Sequence, residues 1–404
     1  MGLDINASLK QALDAIEQKT TELETKKDLI ATVISKKGIP TQGSDTLNTM
    51  ADNIKNIETD LPVSEGNEAV VKDLNGDIYD IKEIKKINNY STNTIWGKKE
   101  HLFTISDVLI DNSGYLLSSD HGDSTHGAIL LRTSPDGSSS RILYEDSTSK
   151  GNISSIATNT LGDFYVGFMT TGRILKLSST GKVVKTIVAP EVDSIDGMVC
   201  DRFGGVYIVV GKTLAKYDKD LNLIWKYTDF SHVAEGLAID SSSGGDYIYV
   251  ATLGGQLYKF MTEGSGSSET VKRVWDRSWI PNYIYSVVAD SEENIYVGDS
   301  SGNVAKYSAQ GKFIWGYPIA SEGIRSIILS KNKDYIYLGE DGGLVHKINL
   351  DGELIWTHKV SLGRGKARVT VDGEDNVYIG CSETIMRIEQ EVSSVDLSAT
   401  LVKR

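Results

Sequence analysis

The sequence is poor in the features on which many function classes depend. It has two cysteines, Cys200 and Cys381, with no CxxC pair and no histidine beside either, so both read as small core-filling side chains. No apolar run approaches the ~18–20 residues of a membrane-spanning helix. The opening Met1–Asn6 carries neither a basic flank nor an apolar core, so no signal peptide is visible. Asn6 also breaks the myristoylation pattern that Gly2 would open. Basic residues number 42 against 55 acidic ones, a net charge of −13, and they are not clustered. Nucleic-acid binding, which draws on grouped Lys and Arg, is thereby disfavoured. The expectation is a soluble protein made in the cytoplasm. No GxSxG, P-loop or HExxH occurs.

What is present is ordinary globular composition, 40% hydrophobic and 24% charged, with 39 Gly and 19 Tyr against only 6 Pro. That balance favours strands joined by glycine-bearing turns. The first 36 residues differ. Leu9, Ile16, Leu23 and Ile30 recur every seven residues, with Leu13, Thr20, Lys27 and Ile34 four after each. This heptad predicts a coiled coil over 5–36 whose polar Thr20 and Lys27 weaken the seam but help set its register. An amphipathic helix packed on its own domain is the alternative, and the heptad residues alone do not separate dimer from trimer. A stop at Lys37-Gly38-Ile39-Pro40 precedes a short capped helix carrying Leu47, Met50, Ile54 and Ile57. Residues 58–91 read as a linker and a hairpin. Asp73-x-Asn75-x-Asp77 opens like a calcium loop, but Ile78 and Ile84 stand where glycine and glutamate are needed.

From about residue 100 the chain repeats. Aligned on a buried second strand, the anchors are Tyr115, Tyr165, Tyr207, Tyr249, Tyr296, Tyr337 and Tyr378, spaced 50, 42, 42, 47, 41 and 41 residues apart. Four short strands per ~41 residues is the pattern of a propeller blade. Seven anchors predict an all-β, seven-bladed β-propeller over 92–404, preceded by the helical stalk. The last unit lacks its fourth strand, and an orphan strand, Asn93–Gly97, lies upstream of the first. Residues 92–98 are therefore expected to close the ring, with the C-terminal VSSVDLSATLVKR as competing donor.

Endings such as Leu350-Asp351-Gly352-Glu353-Leu354-Ile355-Trp356 resemble the PQQ-type, quinoprotein-like propellers. The quinone enzymes of that group use a vicinal cysteine pair, which is absent here, so no cofactor is expected. Residues 26–57 match a module frequent in bacteriophage and prophage tail proteins, through Lys37, Gly38, Thr41, Ser44, Asp45, Thr46, Met50, Ala51, Asn53, Ile54 and Ile57. That resemblance implies a tail fibre or receptor-binding protein of a virion tail or phage-tail-like particle. Residues 1–57 would then trimerise and attach to other tail or baseplate proteins, while the distal domain meets the host.

The expected function is non-enzymatic binding of a bacterial surface polysaccharide. A scaffold propeller binding other tail proteins is the alternative, and an envelope-glycan hydrolase a third. Ligand contacts are expected on the face that carries the loops between second and third strands and between successive blades. Asp276, Arg277, Trp279 and Tyr283 stand out there, since aromatic rings stack on sugars while charged groups bond hydroxyls. Asp299, Glu340 and Asp341 would make that face acidic, with Arg364 a local cation. In the first full unit Asp120, His121, Asp123 and His126 lie within seven residues, a weak candidate for a transition-metal site whose bland reading is a polar loop.

Overall fold

Why the repeats form sheets is visible in their second strands. Phe164–Phe168, Val206–Val210, Ile295–Asp299 and Val377–Cys381 are buried at every position. Such strands must be covered on both faces, so they lack the polar alternation of half-exposed strands. The outer strands are far more exposed, as in Val183–Val188 and Leu223–Tyr227.

In the computed structural model these strands assemble as a propeller. The structure describes residues 70–72, 78–122, 126–146, 151–240, 246–278, 282–360 and 365–403, with side chains between 91 and 390. Six four-stranded sheets and one five-stranded sheet are formed. The first strands of blades 1 to 7 are Ile105–Ile110, Ile153–Thr158, Ile195–Cys200, Ala234–Asp240, Ile284–Ala289, Ile324–Leu329 and Arg368–Val371. Each touches the next, and Arg368–Val371 touches Ile105–Ile110, so the ring is closed. Among the described residues the only helical element is a 3-10 turn at Gly266–Ser268. The expected coiled coil, with Leu9, Leu13, Ile16, Thr20, Leu23, Lys27, Ile30 and Ile34, lies outside the described residues.

The chain forms two compact units, Thr92–Gln390 and a second comprising 1–91 with 391–404. In the second, Val70–Lys72 pairs antiparallel with the start of the strand Ile78–Lys99, Lys72 facing Ile78. In the first, the upstream segment closes the last blade, because Ile78–Lys99 lies next to Thr384–Lys403, which in turn lies next to Val377–Cys381.

Six of the seven tyrosine anchors, Tyr165, Tyr207, Tyr249, Tyr296, Tyr337 and Tyr378, are wholly buried. Each faces a Lys or Arg of the third strand: Lys176, Lys216, Lys259, Lys306, Lys347 and Arg387. In blades 3 to 7 the cation stands 4.7 to 6.0 Å from the tyrosine centroid, a contact worth about 0.5–2 kcal/mol. The first anchor needs correction. In blade 1 the equivalent position is Leu117, fully buried and opposite Arg132, while Tyr115 precedes the strand Leu116–Asp120. Residues two apart share a strand face, so an alignment on tyrosine slips by two without changing face. Tyr115 still takes the Arg132 guanidinium over its ring at 3.9 Å.

The tryptophans lock neighbouring blades. Trp225, Trp275, Trp315 and Trp356 donate their indole N–H to Glu269 Oε1, Ala309 O, Leu350 O and Gln390 Oε1 of the following blade, at 3.0, 3.0, 3.2 and 3.3 Å. Trp96, on the closing strand of blade 7, does the same to Pro135 O of blade 1 at 3.0 Å. The stretch Ser134–Ser138 is a turn in which Asp136 Oδ1 accepts from the Ser134 hydroxyl and the Ser138 amide.

Candidate functional site

In blades 1 to 6 the first strand loses register after its first residue, leaving Ser106, Ser154, Asp196, Glu235, Tyr285 and Arg325 unpaired in a β-bulge. A bulge re-aims a side chain without ending the strand. Here it is applied at one level around the ring axis. Blade 7 departs from the pattern, since Arg368 pairs with Gly380 directly.

Three of these residues, Glu235, Tyr285 and Arg325, meet at the axis. The Arg325 guanidinium lies 3.5 Å over the Tyr285 ring, and its Nε donates to both oxygens of Asp341 at 2.9 and 3.0 Å. Its Nη1 stands 3.9 Å from Glu235 Oε1, so blades 4 and 6 touch past blade 5. Arg368 bridges its neighbours, donating to Ser106 O at 2.7 Å and Arg325 O at 3.0 Å. Asp107 Oδ2 accepts the Ile156 amide at 2.9 Å.

The electrostatics divide the mouth into two sectors. Burial, reinforced by Glu235 and Asp193, pushes the Asp196 carboxyl up to about 8. Burial also raises Glu235, against the pull of Arg325, Arg368 and Lys366. Opposite, burial and the Arg325 and Arg368 charges lower Lys366. Burial, Lys366 and Arg368 likewise lower His121. Asp107 is raised by burial to about 6, although the Ile156 and Val108 amides and Arg368 oppose this. An acidic sector on blades 3 and 4 thus faces a basic one on blades 6 and 7.

A testable consequence follows for Asp196. Its folded-state value lies above the ordinary 3.8, so between about pH 4 and 8 the folded state holds more protons than the unfolded, and stability falls as pH rises through that window. Asp196→Asn removes this dependence. The expected outcome is little change near pH 4 and a gain of about 1–3 kcal/mol at pH 8, read by urea unfolding at both pH values.

The residues singled out in the sequence have separate surroundings. Asp299 Oδ1 accepts the Ser301 and Asn303 amides, and Oδ2 the side-chain amides of Asn282 and Asn303, all at 2.8–2.9 Å. Glu340 is buried and accepts the Ser321 amide at 3.0 Å, with His346 Nε2 at 3.4 Å. Both carboxylates organise loops at the end of their second strands. Asp341 belongs to the axial cluster through Arg325. Tyr283 is 56% exposed immediately before the first strand of blade 5. Asp276 and Arg277 are on the outer strand Thr270–Ser278, away from the inner-strand ends, with Arg277 Nη2 on Gln310 O. Trp279 and Arg364 lie outside the described residues.

Of the metal candidates, Asp120 is buried and holds the Ile129 amide at 2.9 Å and His101 Nδ1 at 3.1 Å. His121 faces the Lys366 and Arg368 charges, and the His126 ring lies 6.1 Å from Phe103. Asp123 lies outside the described residues, among which no group of three or more such side chains is placed to hold a metal ion.

Asp196, Glu235, Tyr285, Arg325, Lys366 and Arg368 were not singled out by sequence reasoning. The signal for the first four was a polar residue interrupting an apolar first strand at one level of the repeat: Ile195-Asp196-Gly197, Ala234-Glu235-Gly236, Ile284-Tyr285-Ser286, Ile324-Arg325-Ser326.

Residues 210–398 match the PQQ_2 family model, described as Outer membrane protein assembly factor BamB. The match runs from the end of the second strand of blade 3 through blade 7 and supports the PQQ-type character of those repeats. No curated protein matches the chain in sequence. Among solved structures, the WD40 β-propeller domain of Doa1 is similar with a TM-score of 0.63 and 14% identity, over 75% of this chain and 98% of that one. At that identity the likeness is one of fold. The class is a seven-bladed β-propeller of four-stranded blades.

Proposed function

We propose that the protein is a non-enzymatic receptor-binding component of a bacteriophage tail or phage-tail-like particle, whose propeller binds a bacterial surface glycan. The observation that carries the binding role is the axial mouth, where bulges in six consecutive blades aim mixed polar and charged side chains at one place. The assignment to a tail rests on residues 26–57, which resemble the tail module and would supply trimerisation and attachment. A trimer would let weak glycan sites add through avidity. The non-enzymatic reading is supported by Asp299 and Glu340, whose oxygens accept hydrogen bonds from nearby loop amides: Ser301 and Asn303 for Asp299, and Ser321, in the loop before the first strand of blade 6, for Glu340. A second reading, a scaffold that binds other tail proteins, draws on the assembly-factor description of the family matched over 210–398.

The test is a pull-down of labelled full-length protein on a panel of bacterial strains, beside residues 92–404 alone and a Trp279→Ala variant. Binding to certain strains, weaker for 92–404 and weaker again for the variant, is expected. Absence of binding to any cell, with capture of tail proteins instead, would move the assignment to the scaffold.

A further inference from the structure

One blade edge lacks the protection that the others carry. The outermost strand of a blade offers a row of backbone N–H and C=O groups to solvent, and proteins guard such rows with charge, proline or glycine. Exposed charges stand on five outer strands: Arg141 in blade 1, Lys226 in blade 3, Arg273 in blade 4, Lys359 in blade 6 and Lys99 in blade 7. Blade 5 has Gly316 and Pro318 in its outer strand Phe313–Pro318. Blade 2 has Val-Val-Lys-Thr-Ile-Val over Val183–Val188, bound on one side to Arg173–Leu177 and on the other to no described strand. Its one charge is committed elsewhere, since Lys185 Nζ donates to Asp220 O at 2.7 Å and Asn222 Oδ1 at 2.8 Å in blade 3. Val184 and Val188 are 57% and 60% exposed, with Thr186 exposed between them, while the alternate residues Lys185 and Ile187 are half-buried. After a bulge at Val184 the ladder is regular from Lys185 to Val188.

We infer that this edge pairs with the same edge of a second copy of the chain, antiparallel, across a two-fold axis at Thr186. Side chains opposite one another in such a pair share a face of the sheet, so the axis passes through a residue and not between two. Thr186 then faces Thr186, each Val184 faces a Val188, and each Lys185 faces an Ile187. Centring the axis on Lys185 instead would set two lysines opposite each other, which is unfavourable. The occupant is a second copy because the exposed row, Val-x-Thr-x-Val, reads the same in both directions about Thr186. The strand thus meets its own match, with β-branched side chains that pair well across strands. The first strand of blade 2 is covered by its neighbours in the ring, so the blade has one open edge and the contact joins propellers two by two without growing into a fibre. The inference is independent of the glycan reading, because it uses the rim of the propeller and not its axis.

The test uses the full chain. In sedimentation velocity the mass of the dilute species, whatever copy number residues 1–57 set, should rise reversibly with concentration, with a midpoint on the order of 100 μM for so small a contact. Thr186→Lys sets like charges on the axis and should weaken this association by at least about tenfold. Leu223→Lys, the same change on the exposed edge of blade 3, should leave it as it is. Both positions are exposed, so Tm should stay that of the parent in each variant. Cross-linking reads the register. Thr186→Cys should give a disulfide-linked pair under mild oxidation, because opposed Cα atoms stand about 4.5–5.5 Å apart. Lys185→Cys, which meets Ile187, should not. The parent, whose Cys200 is partly buried and Cys381 buried, sets the background. A mass independent of concentration, an equal effect of Leu223→Lys, or cross-linking no better at 186 than at 185 would each overturn the inference. Capture of a tail protein that Thr186→Lys abolishes, without self-association, would overturn it in favour of a foreign strand.

Discussion

Trp96→Ala should lower the stability of the propeller by about 2–4 kcal/mol, more than the same change at Trp315. The reason is position in the chain. Both indoles pack near the buried tyrosine of their own blade, Trp96 at 6.2 Å from Tyr378 and Trp315 at 6.1 Å from Tyr296, between ring centroids. Trp315 and Tyr296 belong to one continuous stretch of chain. Trp96 and Tyr378 come from opposite ends of the ring, so their contact holds a seam no peptide bond crosses, and closing that long loop carries an entropic cost. Other contacts share the seam: Ile105 N–H to Ser382 O at 2.7 Å, Arg368 Nε to Ser106 O at 2.7 Å, and the Lys99–Glu383 ion pair. The turn beneath the indole is shaped for it. Gly137 has φ +71°, and a Cβ there would stand 2.6 Å from the Trp96 ring. Urea unfolding of the two variants in parallel checks the ranking. Equal losses at Trp96 and Trp315 would show that closure does not depend on this side chain.

The second large effect is expected at Lys216. Its ammonium is buried in blade 3 among three carboxylates, Asp201 at 3.1 Å, Asp246 at 3.4 Å and Glu269 at 2.8 Å. Burial alone would lower its pKa, but Glu269 and Asp201 outweigh that and hold it above the ordinary lysine value. The acids have further roles. Asp246 accepts the Tyr207 hydroxyl at 2.5 Å, and Glu269 accepts the Trp225 indole of the preceding blade. Lys216→Met keeps most of the side-chain volume and removes the cation that meets all three. Breaking a buried charge network by deleting one partner costs about 3–5 kcal/mol. A fall of at least about 6 °C in Tm is the corresponding expectation.

The sign with pH is fixed by the same shift. A raised lysine contributes its stabilisation fully below about pH 10 and loses it as pH rises through the folded-state value. The parent and Lys216→Met should therefore differ most at neutral pH. In the variant the three acids repel without the Lys216 charge among them, so its Tm should recover in part as they are protonated towards pH 4. A Tm within 1 °C of the parent at pH 7, on the order of measurement error, would remove the cation from its central role.

Much of the propeller could be read along the chain. The seven-fold recurrence of a buried second strand, the basic residue opposite each tyrosine and the late tryptophan are local patterns, each contained within one ~41-residue repeat. Even the closing strand was visible, as Asn93–Gly97 without a blade of its own. The reading slipped at Tyr115, because alternation with a period of two cannot tell a tyrosine from the leucine two residues on when both lie on one face. It also could not assign Asp299 and Glu340. A carboxylate beside a glycine turn looks the same whether it faces a ligand or, as here, the amides of its own loop (Asp299) or of the loop before the blade's first strand (Glu340).

What the sequence by itself determined is the architecture, because a blade is specified by contacts among residues near one another in the chain. The charge pattern at the axis depends on contacts of another kind. Asp196, Glu235, Arg325, Lys366 and Arg368 belong to four different blades and lie far apart in the chain. Only closure of the ring, with a bulge at the same level in six first strands, brings their charges to one axis, and only there does the burial arise that raises Asp196.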